Sequence, residues 1–314
     1  GVSWSTQAMK FFPKTDYTPI PARTKTAFIG LGVMGSPMAA HLKEAGCEMT
    51  VYNRTTSKAK NWTETFGGKY ALTPAEAAKD ADIVFTCVGN DEDLRSVLLG
   101  ENGAFAGMKK GAVLWDATTD SAEVAQEMYA KAKELGLNFV DAPVSGGQAG
   151  AENGVLTVMC GGDEDVIERC TPIASAFACS IKRIGDSGSG QLAKMCNQIC
   201  IAGILQGLSE AIAFGKTANL DMELVLEVIG KGAAGSWQMN GRGKSMIENQ
   251  FNFGFAVDWM RKDLGIALSQ ARRSGASLPL TALVDQFYSD IQNMGGGRLD
   301  TSSLILRLNQ KPKQ

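Results

Sequence analysis

Short β-branched runs alternate with helical patterns from Lys25 to about Asp186, and after Gly188-Ser189-Gly190 the alternation stops. The runs are Thr26 to Gly30, Glu48 to Asn53, Asp82 to Val88, Ala112 to Ala117 and Asn138 to Val144. Two more, Leu156 to Gly161 and Ser180 to Ile184, bracket a helix that starts after Asp163. Alternation of this kind builds a mainly parallel sheet with helices on both faces. Beyond Gly190 the apolar period is helical nearly to the end. Its breaks fall at Asn219-Leu220-Asp221, Gly230 to Gly235, Gly275 and Gly295-Gly296-Gly297, so the second domain is expected to be all helical. The expected division is an extension over 1–24, an α/β domain over 25–188 and a helical domain over 189–314. The extension carries Pro13, Pro19 and Pro21 and neither an Arg-rich amphipathic pattern nor an apolar targeting core; it reads as a draped or mobile tail.

A net charge of −2 in 314 residues, without a long run of one sign, gives no footprint for nucleic acid or an anionic membrane. Seven cysteines without a C-x-x-C pair read as reduced thiols of a cytoplasmic protein, and neither disulfides nor a metal site is expected. The longest apolar runs are interrupted at Gln198, Gln206 and Glu210, short of the roughly 20 residues a membrane helix needs. A soluble protein is expected.

Gly30-Leu31-Gly32-Val33-Met34-Gly35 follows the first strand and opens a helix over Ser36 to Ala45. Glycines there let backbone approach a pyrophosphate held on the helix N-terminus. The second strand ends in Asn53, 18 residues beyond Gly35, where an acidic residue usually takes the ribose hydroxyls of NAD. Asn53-Arg54-Thr55 instead offers an amide, a guanidinium and a hydroxyl, which suit a 2′-phosphate. These features predict a Rossmann-type doubly wound sheet that binds NADP(H), with NAD as the alternative and Arg54 as an ordinary surface cation in that case. His41, the single histidine, lies on the helix after the fingerprint and is assigned a structural role.

Gly190-Gln-Leu-Ala-Lys194-Met-Cys-Asn197-Gln198 sets one cation and two amides at i, i+3 and i+4, which places them on one helix face. Lys194 and Glu210 are the only charges between Gly190 and Gly215, and a helix apolar nearly all round is a buried one. A lysine drawn into low dielectric has its ordinary pKa of roughly 10.4 pushed down, as a proton donor near neutrality requires. Lys194 is therefore the candidate catalytic residue. Glu210, 16 residues on, falls about 160° around the helix and is not its same-face partner.

Ser145-Gly146-Gly147 closes a strand, and its backbone amides with one hydroxyl can take a carboxylate; a plain turn is the other reading. Asn197 and Gln198 can bond a substrate oxygen without adding charge. Thr118, after the strand ending at Ala117, is either one more hydroxyl for the substrate or a helix cap.

From Lys25 to about Leu308 the chain resembles the β-hydroxyacid dehydrogenase family, which includes 3-hydroxyisobutyrate dehydrogenases, tartronate semialdehyde reductases and glyoxylate/succinic semialdehyde reductases. Four segments carry the resemblance: Phe28 to Ala39, Asp141 to Gly147, Gly190 to Gln198 and Lys262-Asp263-Leu264. It implies substrate binding by Asp141 to Gly147, a role for Lys262 at the nicotinamide end, and a dimer or tetramer built through the helical domain. The expected cofactor contacts are Gly30, Leu31, Gly32, Val33, Met34, Gly35, Asn53, Arg54, Thr55, Val88, Thr118 and Lys262. The expected substrate contacts are Ser145, Gly146, Gly147, Asn197, Gln198 and Thr118.

The reaction implied is hydride transfer between nicotinamide and a small semialdehyde, 3-hydroxy acid or 2-oxo acid, with Lys194 as proton relay. Asn197-Gln198 is closer to tartronate semialdehyde reductases, whereas Asn53-Arg54-Thr55 is closer to the NADPH-using glyoxylate/succinic semialdehyde reductases. Imine reductases share the architecture but usually carry Asp or Tyr in place of the lysine. A non-catalytic dinucleotide-binding module is the third reading, and Lys194 disfavours both rivals.

Overall fold

The computed structural model describes residues 10–308. The chain divides into two compact units between Lys194 and Met195. That boundary lies six residues beyond the expected end at 188, inside a helix rather than before it, because the first turn of that helix is bonded to the first unit.

In the first unit the strands are β1 (Lys25–Ile29), β2 (Glu48–Tyr52), β3 (Lys69–Tyr70), β4 (Ile83–Thr86), β5 (Val113–Asp116), β6 (Asn138–Asp141), β7 (Val144–Ser145), β8 (Leu156–Gly161) and β9 (Ala178–Gly185). The helices are α1 (Gly35–Glu44), α2 (Thr56–Phe66), α3 (Pro74–Ala78), α4 (Asp91–Leu98), α5 (Ala104–Gly107), α6 (Ala122–Glu134), α7 (Gly147–Asn153) and α8 (Glu164–Ala174). The sheet order is β3-β2-β1-β4-β5-β6-β8-β7, with β9 beside β8. Strands β1 to β6 pair in parallel, β8 runs antiparallel to β6 and β7, and β9 is parallel to β8. The sheet is thus the doubly wound, mainly parallel one expected. Its strand order reverses between β1 and β4, the place where such sheets open a crevice at their carboxyl ends.

Phe28, Phe85, Trp115 and Phe177 pack one face of the sheet, and Leu94, Leu98, Leu114 and Phe139 pack the other, all fully buried. Burying large apolar side chains of this kind stabilises by about 1.5–3 kcal/mol each. Two strands differ from the sequence reading. The run from Asn138 to Val144 breaks into β6 and β7 around Pro143, which has no amide to donate to a ladder. Strand β3 is two residues long, too short for a period to register.

The second unit continues α9 (Ser189–Thr217) and adds α10 (Met222–Ile229), α11 (Trp237–Ile247), α12 (Val257–Ser274), α13 (Pro279–Asn293) and a 3-10 helix over Thr301–Arg307. Leu205, Ile212, Met260, Leu264, Val284, Tyr288 and Leu304 form its core. The second unit is all helical, as expected.

Helix α9 departs from the sequence reading in two ways. It is 29 residues long with a window of mean hydropathy 1.3, so by length and composition it is apolar enough to cross a membrane. Two of its polar breaks meet each other, since Gln206 Nε2 donates to Glu210 Oε2 at 2.7 Å. Nor is it buried all round: Ala202, Leu205 and Ile212 are inside the helical core, while Leu192, Ile204 and Phe214 are exposed.

The described part of the leader, residues 10–24, is draped over the first unit; its first nine residues lie outside the described residues. Phe12 N donates to Glu152 O (3.2 Å), and Lys14 Nζ donates to the carbonyls of Gly154 and Ser175 (3.0 Å each). Phe11 packs on the His41 ring at 4.6 Å between centroids. Fully buried His41 has Nδ1 2.7 Å from Tyr17 Oη and Nε2 2.9 Å from Glu152 O. Glu152 O can only accept, so Nε2 carries the proton and Tyr17 donates to Nδ1. Gly154 completes the clasp with φ +68°, and a Cβ there would meet His41 Cε1 at 2.9 Å. The structural role expected for His41 is this clasp.

Burial, the largest cause, lowers the His41 pKa from its ordinary value. The unfolded chain then takes up this proton first, so the stability of the buried neutral ring is complete above about pH 6.5 and is lost as pH falls toward the depressed folded value. Asp141 and Glu152, whose carboxyls burial raises, act with the opposite sign over the acidic range. Replacing His41 by Gln should therefore flatten the acid-side fall in melting temperature relative to wild type between pH 7 and 5. Identical slopes would refute the clasp. Tyr17→Phe should cost about 1 kcal/mol in a denaturant titration at pH 7.5.

Candidate active site

The carboxyl ends of β1, β4, β5 and β6 lie side by side in parallel register. Gly30, with φ +101°, turns the chain out of β1, and a Cβ there would collide with the Cys87 carbonyl while standing 3.3 Å from Val88 Cγ1. Gly35 lies against the Gly30 carbonyl in the same way, whereas nothing lies within 4 Å of a Cβ at Gly32. Two glycines thus let the turn close, and the third faces open space. Helix α1 begins beside it with no side chain capping its N-terminus, so backbone amides and the positive end of the helix are available to an anion. The residues fit a dinucleotide.

Asn53 Oδ1 accepts from Leu31 N (3.0 Å) and its Nδ2 donates to Thr55 O (3.2 Å). Asn53 therefore shapes the turn between the fingerprint and the second strand. Arg54 and Thr55 are exposed, and Thr55 precedes α2 without capping it by its side chain.

Ser145 precedes two left-handed glycines, Gly146 at φ +129° and Gly147 at φ +65°, conformations that glycine adopts without strain. No side chain caps α7, which starts at Gly147. Thr118 is buried; its Oγ1 accepts from Val88 N (2.9 Å) and its amide donates to Asp116 Oδ1 (3.1 Å). The helix-cap reading of Thr118 is overturned: Ser121 caps α6 by accepting from Val124 N (3.0 Å).

Asp116 is fully buried and accepts from Thr86 Oγ1 (2.9 Å). Burial raises its carboxyl above the ordinary range, which favours its protonated form. The sequence reading missed this carboxyl.

It also missed the role of Asp141. The resemblance put this residue in a substrate segment, yet its Oδ1 accepts from Gly188 N (2.9 Å) and its Oδ2 from Gln191 N (3.1 Å). Asp141 therefore caps α9. Burial pushes its carboxyl up to about 6, against the pull of those amides. A Cβ at Gly190 would run into the Met159 and Asp141 carbonyls, which explains why a glycine stands there. Lys194, one turn farther along α9, is 8 % exposed.

In the second unit Gln198 is buried; its Nε2 donates to Asp263 Oδ2 (2.8 Å), and its Oε1 accepts from Asn197 Nδ2 (2.8 Å). Gln198, expected at the substrate, thus has its amide engaged by protein on both sides and orients Asn197. Lys262 Nζ stands 3.5 Å from Asp263 Oδ1 and 5.2 Å over the Trp259 ring.

A family model described as the NAD-binding domain of 6-phosphogluconate dehydrogenase matches residues 25–185. Another, described as the NAD-binding region of NADP-dependent 3-hydroxyisobutyrate dehydrogenase, matches residues 188–308. An uncharacterized oxidoreductase of Shewanella frigidimarina is 60% identical over 91% of this chain and 98% of its own length. The 2-hydroxy-3-oxopropionate reductase of Escherichia coli is 35% identical over 90% of this chain and 97% of its own. Among solved structures, Mycobacterium tuberculosis 3-hydroxyisobutyrate dehydrogenase with L-serine superposes with TM-score 0.83 at 30% identity, covering 92% of this chain and 100% of that one. The fingerprint, the helical second unit and these likenesses agree: the chain belongs to the β-hydroxyacid dehydrogenase family and is an NAD(P)-dependent oxidoreductase acting on CH–OH groups.

Proposed function

We propose that the protein is an oxidoreductase that transfers a hydride between NADP(H) and a small 3-hydroxy acid, semialdehyde or 2-oxo acid, of the tartronate semialdehyde, glyoxylate, succinic semialdehyde or 3-hydroxyisobutyrate class, with Lys194 as its proton relay. The observation that carries this reading is Lys194 itself: a buried cation on the first turns of a helix whose start is bonded to the sheet edge that bears the glycine fingerprint and Thr118. When bound, the reduced nicotinamide supplies the hydride. The Lys194 ammonium donates its proton to the oxygen that becomes an alkoxide, and in the oxidative direction the neutral amine accepts it. Ser145 with the amides of Gly146 and Gly147 takes the substrate carboxylate, and Thr118 adds a hydroxyl. By the family resemblance, Asn197 and Lys262 of the second unit are assigned to substrate and nicotinamide binding.

Lys194→Ala should lower kcat by ~10²–10⁴-fold while NADPH binding, read by fluorescence titration, changes little; wild-type turnover in that variant ends the assignment. The substrate comes from NADPH oxidation over glyoxylate, succinic semialdehyde and tartronate semialdehyde, and from NADP⁺ reduction over 3-hydroxyisobutyrate. No turnover on any of the four would favour the imine-reductase or binding-module reading.

The NADP(H) preference rests on Arg54 and Thr55, exposed beside Asn53 with no carboxylate at that strand end. A charge-assisted bond to a 2′-phosphate contributes roughly 1.5–3 kcal/mol, so Arg54→Gln should raise the Kd for NADPH about 10- to 100-fold and leave that for NADH unchanged. Equal effects on both cofactors would make Arg54 a bystander.

The helical unit also supports a homo-oligomer. Phe214 is 72% and Val228 64% exposed, with Leu224 and Leu220 also open, an apolar display that a solitary subunit leaves in water. Phe214→Asp with Val228→Asp should reduce the mass measured by light scattering to that of one chain; an unchanged mass would place the interface elsewhere.

A further inference from the structure

We propose that Gln191 is a positioning residue for Lys194: its buried amide laces the first turn of α9 to the Thr118–Asp120 loop and so fixes where the lysine stands relative to the substrate hydroxyl of Thr118. The proposal rests on the reading of Lys194 as the proton relay. Gln191 is completely buried. Its Nε2 donates to Thr118 O (2.7 Å) and its Oε1 accepts from Asp120 N (3.1 Å), while its own amide donates to Asp141 Oδ2 (3.1 Å). One residue therefore ties α9 to β6 through its backbone and to the loop after β5 through its side chain. Lys194 follows it at i+3, on the same side of the helix.

The chemistry at this position is specific. Thr118 O needs a donor and Asp120 N an acceptor, and both are buried beside the carboxyls of Asp116, Asp120 and Asp141. A charged side chain of either sign would be desolvated there or face those carboxyls, whereas an amide supplies both bonds without charge. The loop that Gln191 holds is already pinned on its far side, since Thr118 Oγ1 accepts from Val88 N (2.9 Å). A displacement of α9 along its axis therefore cannot be shared with the loop. It would break both Gln191 bonds and move Lys194 against a stationary Thr118.

The test uses the full chain with NADPH and the best substrate of the panel. Gln191→Met keeps the volume and loses both side-chain bonds; kcat should fall on the order of 10²-fold, as displacement of a reacting group by about 1 Å produces, with KM and NADPH affinity within threefold. Gln191→Glu keeps the acceptor, and once protonated its carboxyl again donates to Thr118 O. The ratio of its kcat to that of the Met variant should therefore rise as pH falls. Wild-type kcat in the Met variant, or a ratio that stays flat with pH, overturns the proposal. Hydrogen exchange at the Asp120 amide reads the lacing without turnover: it should quicken at least tenfold in the Met variant while the melting temperature falls by only a few degrees, and unchanged exchange also overturns it. Retained turnover in Lys194→Ala defeats the relay and this inference together, whereas retained turnover in Gln191→Met alone defeats only the inference.

Discussion

The cap that Asp141 places on α9 is the constraint on which the rest of the active region depends. A helix start leaves backbone amides without partners, and two amides here, those of Gly188 and Gln191, end on one carboxylate at the tip of β6. The cap fixes the position and the rotation of the first turn of α9, and Lys194 inherits them. The cost is a carboxylate kept in a buried place, visible as a carboxyl raised to about 6. Burial and two amide bonds pull that value in opposite directions, and burial wins. Protonating Asp141 would weaken the cap, so the geometry around Lys194 and the charge of Asp141 are linked at the acid side of neutrality.

The edge of the sheet repeats this arrangement. Asp116 closes β5 as Asp141 closes β6, and each spends its carboxyl on neighbouring backbone rather than on solvent. Asp116 orders Thr118 through its amide, Val88 orders the Thr118 hydroxyl, and Gln191 orders the Thr118 carbonyl. A threonine held at amide, carbonyl and hydroxyl has little freedom left. Such preorganisation is what an acid–base site needs, because reorganisation is then not demanded during the reaction.

The parts legible in the sequence were those with a period or a forced residue type. The β/α alternation, the change to a helical period after Gly188 and the glycine fingerprint all reflect local constraints, and the architecture follows them. Gly30 and Gly35 were readable because a Cβ at either collides with backbone. What escaped was set by partners distant in sequence. Asp141 and Gln191 are 50 residues apart, and nothing near Asp141 says that it caps a helix. The burial of Asp116 and Asp120 hid because carboxylates four apart ordinarily read as solvated. Pro143 was the available sign that the run ending at Val144 holds two strands.

Gln198 shows how a structural partner changes the weight of a sequence clue. As a bare pair, Asn197-Gln198 invited a choice between family branches on the assumption that both amides meet the substrate. In the second unit, however, Gln198 reaches Asp263 and holds Asn197 by its carbonyl, so its extra methylene serves a reach across to α12. A shorter Asn at this position would withdraw that donor from a buried Asp263 oxygen unless α9 and α12 moved closer, and a hydrogen bond lost from a buried carboxylate is costly. The Asn-Gln form therefore records the spacing of two helices. On the proposed function, discrimination among small carboxylate substrates would then fall to Ser145, Gly146, Gly147 and Thr118.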